Sequence, residues 1–335
     1  MNFTRKEFIK TASAASAGAL LSPGFNLNAS PHSIIPEKLK RGDTIGMISP
    51  ASILNERSDY YRIVRKIEEL GFEVKIGEHA KDIFGYFAGT DRNRAKDVNA
   101  MFADSEVDAI LSFRGGWGCN RILEYIDFDI IAQNPKPFIG FSDITSLLLS
   151  IYSKTGLVTY HGPVGKSDWT DYTASNFKNC LMKEQAFTAT SKLGSILKVK
   201  GGRARGKLLG GNLTVLTAMF GSGCLPEWQD AILFVEEVGE DVYRVDRMLT
   251  QLRLAGVFEK INGFIFGKCV NCKVDSGPHF TLNEIVRQHI SEFNIPAFIG
   301  ANIGHIADMI TLPVGLNAEI DADAGSIKLL EAPVN

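Results

Sequence analysis

The stretch SFRGGWGCNR, residues 112–121, follows the mostly apolar run 107–111 and opens the helical pattern CNRILEYIDFDII (119–131). Gly115, Gly116 and Gly118 allow backbone conformations closed to other residues, so the segment reads as a buried strand, a sharp turn and a helix. That unit belongs to a parallel sheet, and it recurs on both sides. Upstream, DTIGMISPAS (43–52) is a strand, NERSDYYRIVRKIEELG (55–71) a helix ended by Gly71, and FEVKIG (72–77) a second strand. GTDRNRAKDVNAMFAD (89–104) is a helix with Thr90 or Asp91 at its N-cap. Downstream, KPFIGFSD, ITSLLLSIYSKTG and LVTYHGP repeat strand, helix and strand between 136 and 163. The pattern predicts an α/β fold whose N-terminal domain, 36–165, is a doubly wound, mostly parallel sheet.

Residues 166–203 are polar and weakly periodic and read as an interdomain connection. Beyond them, 204–331 reads as a smaller, mixed β/α C-terminal domain. It holds an Asn212-capped helix, the strand AILFVEEV (231–238), and a closing hairpin that turns at Asp323, Ala324 and Gly325. A chain of 335 residues is long enough for two such cores.

Composition narrows the function. The chain is 45% hydrophobic and 22% charged, with 36 basic and 38 acidic residues and a net charge of −2. It has no basic block or regular aromatic–basic interleaving to track a phosphate backbone, which argues against nucleic acid as a partner. No apolar stretch approaches the roughly 20 residues of a spanning helix. Residues 1–30 run from the basic TRKEFIK (4–10) through the small, apolar TASAASAGALLSPG (11–24) and read as a signal peptide. The order Arg5-Lys6-x-Phe8-Ile9-Lys10 is similar to a twin-arginine export signal with lysine in the second position, so an exported, periplasmic protein without stable membrane insertion is expected.

The turn delivers one thiol. Cys119 would stand above the carboxyl edge of the sheet with neighbouring N–H groups free, the logic of a nucleophile elbow. A helix N-terminus with Arg114 and Arg121 nearby in sequence should acidify it. Two other readings stay open on the residues alone: an anion or nucleotide cradle, and a structural turn around a buried cysteine. A base would come from the six histidines. His32, His79, His279 and His289 read as surface residues, whereas His161 and His305 lie at strand ends against glycines. The orienting acid is open among Glu236, Glu237, Glu240 and Asp241. The five cysteines leave at least one thiol unpaired, and Cys269-Val-Asn-Cys272 reads first as a structural strand end, with disulfide or metal roles behind it.

Eight segments together resemble the LD-carboxypeptidase family of serine peptidases, which includes muramoyltetrapeptide carboxypeptidases and microcin C self-immunity hydrolases. They are IGMISPAS, GTDRNRAKDVNAMFAD, RGGWGCNRIL, IGFSDIT, HGP, GGNLTVL, LFVEEVGEDVYRVDRML and IGHIADMITLPVG, in that order between 45 and 330. The resemblance implies Cys119 as nucleophile in place of the family's serine, His305 as base and Glu236 as the acid that orients it. It implies an oxyanion hole at the backbone N–H of Asn120, with Gly116 or Gly89 as second donor. Arg114, Trp117 and Arg121 are the expected substrate contacts, Arg114 or Arg121 taking the terminal carboxylate. It also implies a homodimer, no metal and no cofactor. The expected reaction is removal of a C-terminal D-amino acid, D-alanine, from peptidoglycan tetrapeptides. Two alternatives are a hydrolase inactivating a microcin C-like peptide-nucleotide antibiotic, and a non-catalytic muropeptide-binding protein.

Overall fold

The computed structural model describes residues 33–191, 196–274 and 276–335; the expected signal peptide at 1–30 and His32 lie outside them. In chain order the first half consists of β1 (Thr44–Ile48), α1 (Arg57–Glu69), β2 (Glu73–Ile76), α2 (Asp91–Ala103), β3 (Ala109–Ser112), α3 (Cys119–Ile122), α4 (Phe128–Gln133), β4 (Phe138–Gly140), α5 (Thr145–Thr155) and β5 (Thr159–His161). α6 (Asp171–Leu181), β6 (Thr188–Thr190) and β7 (Leu197–Lys200) follow. The second half consists of β8 (Arg203–Asn212), α7 (Leu213–Ala218), β9 (Ile232–Val238), α8 (Val242–Leu254), β10 (Gly263–Val270), α9 (Leu282–Ile290), β11 (Ala297–Ile299), β12 (Leu312–Val314), β13 (Asn317–Asp321) and β14 (Ser326–Leu329).

Two sheets result. The first has six strands in the order β12-β5-β4-β3-β1-β2, parallel throughout except for the antiparallel β12–β5 pair. Its central strand β3, AILS, is buried at every position because helices cover both faces of such a sheet. The second has eight strands in the order β6-β14-β13-β8-β9-β10-β11-β7. β8 to β11 run parallel, and antiparallel strands flank them. The expected hairpin is β13–β14, with Asp321 Oδ1 accepting the N–H groups of Asp323 and Ala324 to close its turn.

The polar stretch after 165 is structured by the same rules as its neighbours. Thr170 caps α6 by accepting the N–H of Thr173, and the helix buries Phe177, Cys180 and Leu181. β6 and β7 then form the two edges of the second sheet. Conversely β12, late in the chain, completes the first sheet. The two halves are therefore joined by exchanged strands as well as by packing. Among the described residues no helix is long and apolar enough to cross a membrane.

Candidate active site

β3 ends at Ser112 and α3 begins at Cys119, so the glycine turn is the expected strand-to-helix elbow. Gly118 adopts φ 124°, and a Cβ there would come within 2.6 Å of the Phe87 ring and 2.9 Å of Arg94 Nη1. Only glycine satisfies both the backbone angle and this close approach.

The thiol itself departs from expectation. Cys119 is fully buried, and its backbone N–H donates to Asp143 Oδ2 at 2.7 Å. Burial pushes the thiol well up, the Asp143 charge adds to this, and Arg94 opposes it only in part. The acidification expected from Arg114 and Arg121 does not occur because neither guanidinium serves the sulfur. Arg114 Nη1 donates to Ile53 O at 3.0 Å. Arg121 pairs with Asp91 at 2.8 Å and lies over the Phe87 ring, so the charge expected to meet a substrate carboxylate is already partnered. Trp117 is about half exposed, and its backbone N–H donates to Ser52 Oγ. Gly116 (φ 118°) sits against that same Ser52, and Gly89 (φ 97°) against Asp82, just before the Thr90 cap of α2. Asn120 is half-buried as the second residue of α3, where a helix leaves its N–H groups without intrahelical partners.

Glu236 and Glu237 stand on opposite faces of β9, yet both are buried. Glu237 is occupied: it accepts the N–H groups of Thr214 and Val238, each at 2.8 Å, and burial raises its pKa. Glu236 points the other way, and its Oε2 lies 2.9 Å from His305 Nδ1. Gly304, at φ 118°, permits this approach, since a Cβ there would lie 2.6 Å from Glu236 Oε2. Asn212 ties the two carboxylates together, its Nδ2 donating to Glu236 Oε1 at 3.1 Å and Glu237 Oε1 at 3.2 Å. Glu240 and Asp241 face Arg244 at 3.6 Å and 3.5 Å and take no part.

A five-residue segment after β4 links the two clusters. Phe141 places its ring 4.8 Å from that of His305, Asp143 binds Cys119, and Thr145 Oγ1 accepts the backbone N–H of Asn212 at 3.0 Å. His161 joins from β5, its ring 5.3 Å from Phe234 and 6.1 Å from Phe141. It is fully buried with neither ring nitrogen hydrogen-bonded among the described residues, and burial drives its pKa down to about 4, so it sits neutral. Of the four histidines read as surface residues, His289 is not one: it is buried on the apolar face of α9 and bonds Asp246 Oδ1 at 2.7 Å. His279 is exposed and His79 partly buried against Asp82.

Sequence reasoning missed Arg94 and Asp143. A signal existed for Arg94, whose spacing to Val98 and Phe102 puts it on the buried stripe of α2. Asp143 stands past the carboxyl end of a buried strand, where functional side chains of α/β sheets collect. Cys269 and Cys272 form a disulfide at the end of β10; Cys119, Cys180 and Cys224 are free.

Comparison with known proteins decides the lineage. Residues 45–162 match the LD-carboxypeptidase N-terminal domain, and residues 205–320 match the LD-carboxypeptidase C-terminal domain. The chain belongs to the LD-carboxypeptidase family. It is 37% identical over 308 residues to a Bacillus subtilis (strain 168) protein named "Probable murein peptide carboxypeptidase", covering 90% of this chain and 95% of that one. It is 30% identical to the Microcin C7 self-immunity protein MccF of Escherichia coli, covering 90% and 96%. The fold follows that of MccF in complex with glutamyl sulfamoyl guanosine, with TM-score 0.83, 28% identity, and 90% and 99% coverage. It also follows muramoyltetrapeptide carboxypeptidase from Oxalobacter formigenes, with TM-score 0.76, 28% identity, and 85% and 97% coverage. As a family member the chain is a hydrolase, with two α/β domains and sheets of mixed strand direction.

Proposed function

We propose that this LD-carboxypeptidase family member is an exported enzyme that removes the C-terminal D-alanine from peptidoglycan tetrapeptides through Cys119, His305 and Glu236. The observation that carries the reading is the buried Glu236 bonded to His305, facing the segment 141–145 whose other side binds the Cys119 elbow. A buried carboxylate on Nδ1 leaves Nε2 as the ring atom for proton transfer. Because burial keeps the sulfur protonated, His305 must take the thiol proton as attack begins, as a base does for serine, instead of meeting a preformed thiolate. The sulfur then bonds the carbonyl carbon, and the developing oxyanion lies against the N–H of Asn120, with Gly116 or Gly89 as second donor. His305 returns the proton to the leaving amine of D-alanine as the C–N bond breaks, and water hydrolyses the remaining thioester by the same relay. Neither metal nor cofactor enters these steps. Trp117, exposed on the elbow, borders the substrate, and a homodimer and periplasmic residence complete the proposal.

The test is mass spectrometry of purified disaccharide-tetrapeptide after incubation with the protein, Cys119→Ala alongside. Loss of one D-alanine by the parent alone supports the reading. No loss from folded, reduced parent protein rejects it, and hydrolysis of an aminoacyl sulfamoyl nucleoside instead would favour the microcin C-type alternative. Export is checked by locating a fusion of residues 1–35 to a reporter.

A further inference from the structure

Two buried charges that the mechanism above does not use meet on one peptide group. Arg94 is fully buried, and its Nη1 donates to Gly118 O at 3.0 Å and also to Pro50 O, while Nη2 pairs with Asp91. Asp143 is also buried, and its Oδ2 accepts the N–H of Cys119 at 2.7 Å. Gly118 O and Cys119 N–H are the two ends of the same peptide link, so a cation grips one side and an anion the other. Asp143 reaches this place at a conformational cost. Ser142 before it adopts φ 63°, a left-handed backbone that serine rarely takes, with its Cβ close against Gly115. Ser146 Oγ donates to Asp143 O at 3.0 Å and fixes the segment from the far side. Each buried charge is expensive without the groups that satisfy it, Asp91 and two carbonyls for Arg94 and the Cys119 N–H for Asp143. An elbow peptide fixed this way cannot rotate, and rotation there would swing the sulfur.

We infer that Arg94 and Asp143 are positioning residues that clamp the Gly118–Cys119 peptide and hold the nucleophile's sulfur in register for attack. The inference rests on the proposed reaction for its kinetic consequence, but the clamp itself has a readout that needs no substrate. The charges that act on the thiol are those of Asp143 and Arg94. Asp143→Asn keeps an acceptor for the Cys119 N–H and removes the charge that adds to burial in holding the thiol protonated; Asp143→Ala removes both.

The experiment measures the rate of Cys119 alkylation by iodoacetamide, read by peptide mass spectrometry, and kcat and KM on disaccharide-tetrapeptide, in the full-length parent and both variants. Asp143→Asn should alkylate about tenfold faster at fixed pH, because the thiolate fraction rises, and keep kcat within about tenfold of the parent. Asp143→Ala should lose about a hundredfold in kcat with KM little changed, the penalty of a misplaced reacting atom. An unchanged alkylation rate in Asp143→Asn overturns the inference even if Asp143→Ala fails to fold. So does a folded Asp143→Ala with parental kcat, or an Asp143→Asn as slow as Asp143→Ala. If the parent does not turn over the tetrapeptide, the proposed function fails and alkylation still decides the clamp: Asp143→Ala, which loses the N–H acceptor as well as the charge, should alkylate faster than Asp143→Asn, and equal rates overturn the inference.

Discussion

Glu236 holds His305 from a position with no solvent exposure, Oε2 to Nδ1 at 2.9 Å, and it is itself held at Oε1 by Asn212. The order is a buried donor, a buried carboxylate, then a partly exposed imidazole. The ring thus inherits its orientation from a carboxylate that water does not reach.

Glu236→Gln preserves shape and removes the charge that would stabilise an imidazolium. Its amide can also present N–H where oxygen is needed, inverting the tautomer of His305. We expect kcat/KM to fall by about 10²- to 10⁴-fold, with a melting temperature equal to or above the parent's. Steady-state kinetics beside thermal unfolding checks both, and an active Glu236→Gln would remove this residue from the mechanism.

Asn212 serves two structures at once. Its Oδ1 caps α7 by accepting the N–H of Val215, and its Nδ2 bonds both glutamates. Asn212→Ala should lose about 2–4 kcal/mol, the sum of a lost cap and one orphaned acceptor, Glu236 Oε1, since Glu237 Oε1 keeps the N–H of Val238. Asn212→Asp keeps the cap but sets a third carboxylate beside two buried ones, so it should be less stable than Asn212→Ala. Urea unfolding of the pair decides, and the reverse order would show that the cap dominates.

The sheet strands and the elbow were legible because each is written locally: continuous apolar runs, three glycines before Cys119, Thr90 and Asn212 at caps. Long-range features were not. β12 joining the first sheet and β6 and β7 edging the second depend on where strands of three or four residues find a partner, which no local pattern records. The state of Cys119 was misread for the same reason. Arg114 and Arg121 are near it in sequence, but the charges that meet it come from residues 25 and 24 positions away, Arg94 on α2 and Asp143 after β4. The choice between Glu236 and Glu237 was likewise closed to alternation, since both faces of β9 are buried and only the reach of Asn212, Thr214 and His305 tells them apart.

His161 makes stability depend on acid. Its folded pKa is about 4 against an ordinary 6.5, so between those values the unfolded chain binds the extra proton. Its contribution is complete above about pH 6.5 and is lost as the pH falls to about 4, amounting to about 3 kcal/mol. Asp97, buried and pushed up to about 6, acts with the opposite sign and gains stability as the pH falls through that value. His161→Gln isolates the histidine: urea midpoints taken from pH 7 to pH 4 should drop more steeply for the parent than for the variant. Parallel curves would mean that His161 is already protonated or solvated at pH 7.

The Cys269–Cys272 disulfide closes a very short loop, so it removes little entropy from the unfolded chain. Replacing both cysteines by serine should cost about 2 kcal/mol or less. Cys269 pairs in register with Glu237, the glutamate that does not touch His305, so hydrolysis should stay at the parental rate. A large loss of activity with stability intact would instead couple this bridge to β9 and the site.

Cys119→Ser separates the elbow's geometry from the chemistry of sulfur. The elbow is set by backbone atoms, the Gly118 carbonyl, the Cys119 N–H and the φ of Gly118, none of which the substitution alters. A hydroxyl is smaller than a thiol and leaves little void, so stability should change by no more than about 1 kcal/mol. Since burial keeps the sulfur protonated, cysteine has little of the advantage that a ready thiolate would confer. The serine form, deprotonated by the same His305, should therefore stay within about a hundredfold of the parent on disaccharide-tetrapeptide while Cys119→Ala is inactive. Residue 119 should then no longer alkylate with iodoacetamide, whereas Cys119 of the parent should alkylate slowly. An inactive but folded Cys119→Ser would mean that the reaction depends on the thiolate after all, and that His305 generates it before substrate arrives.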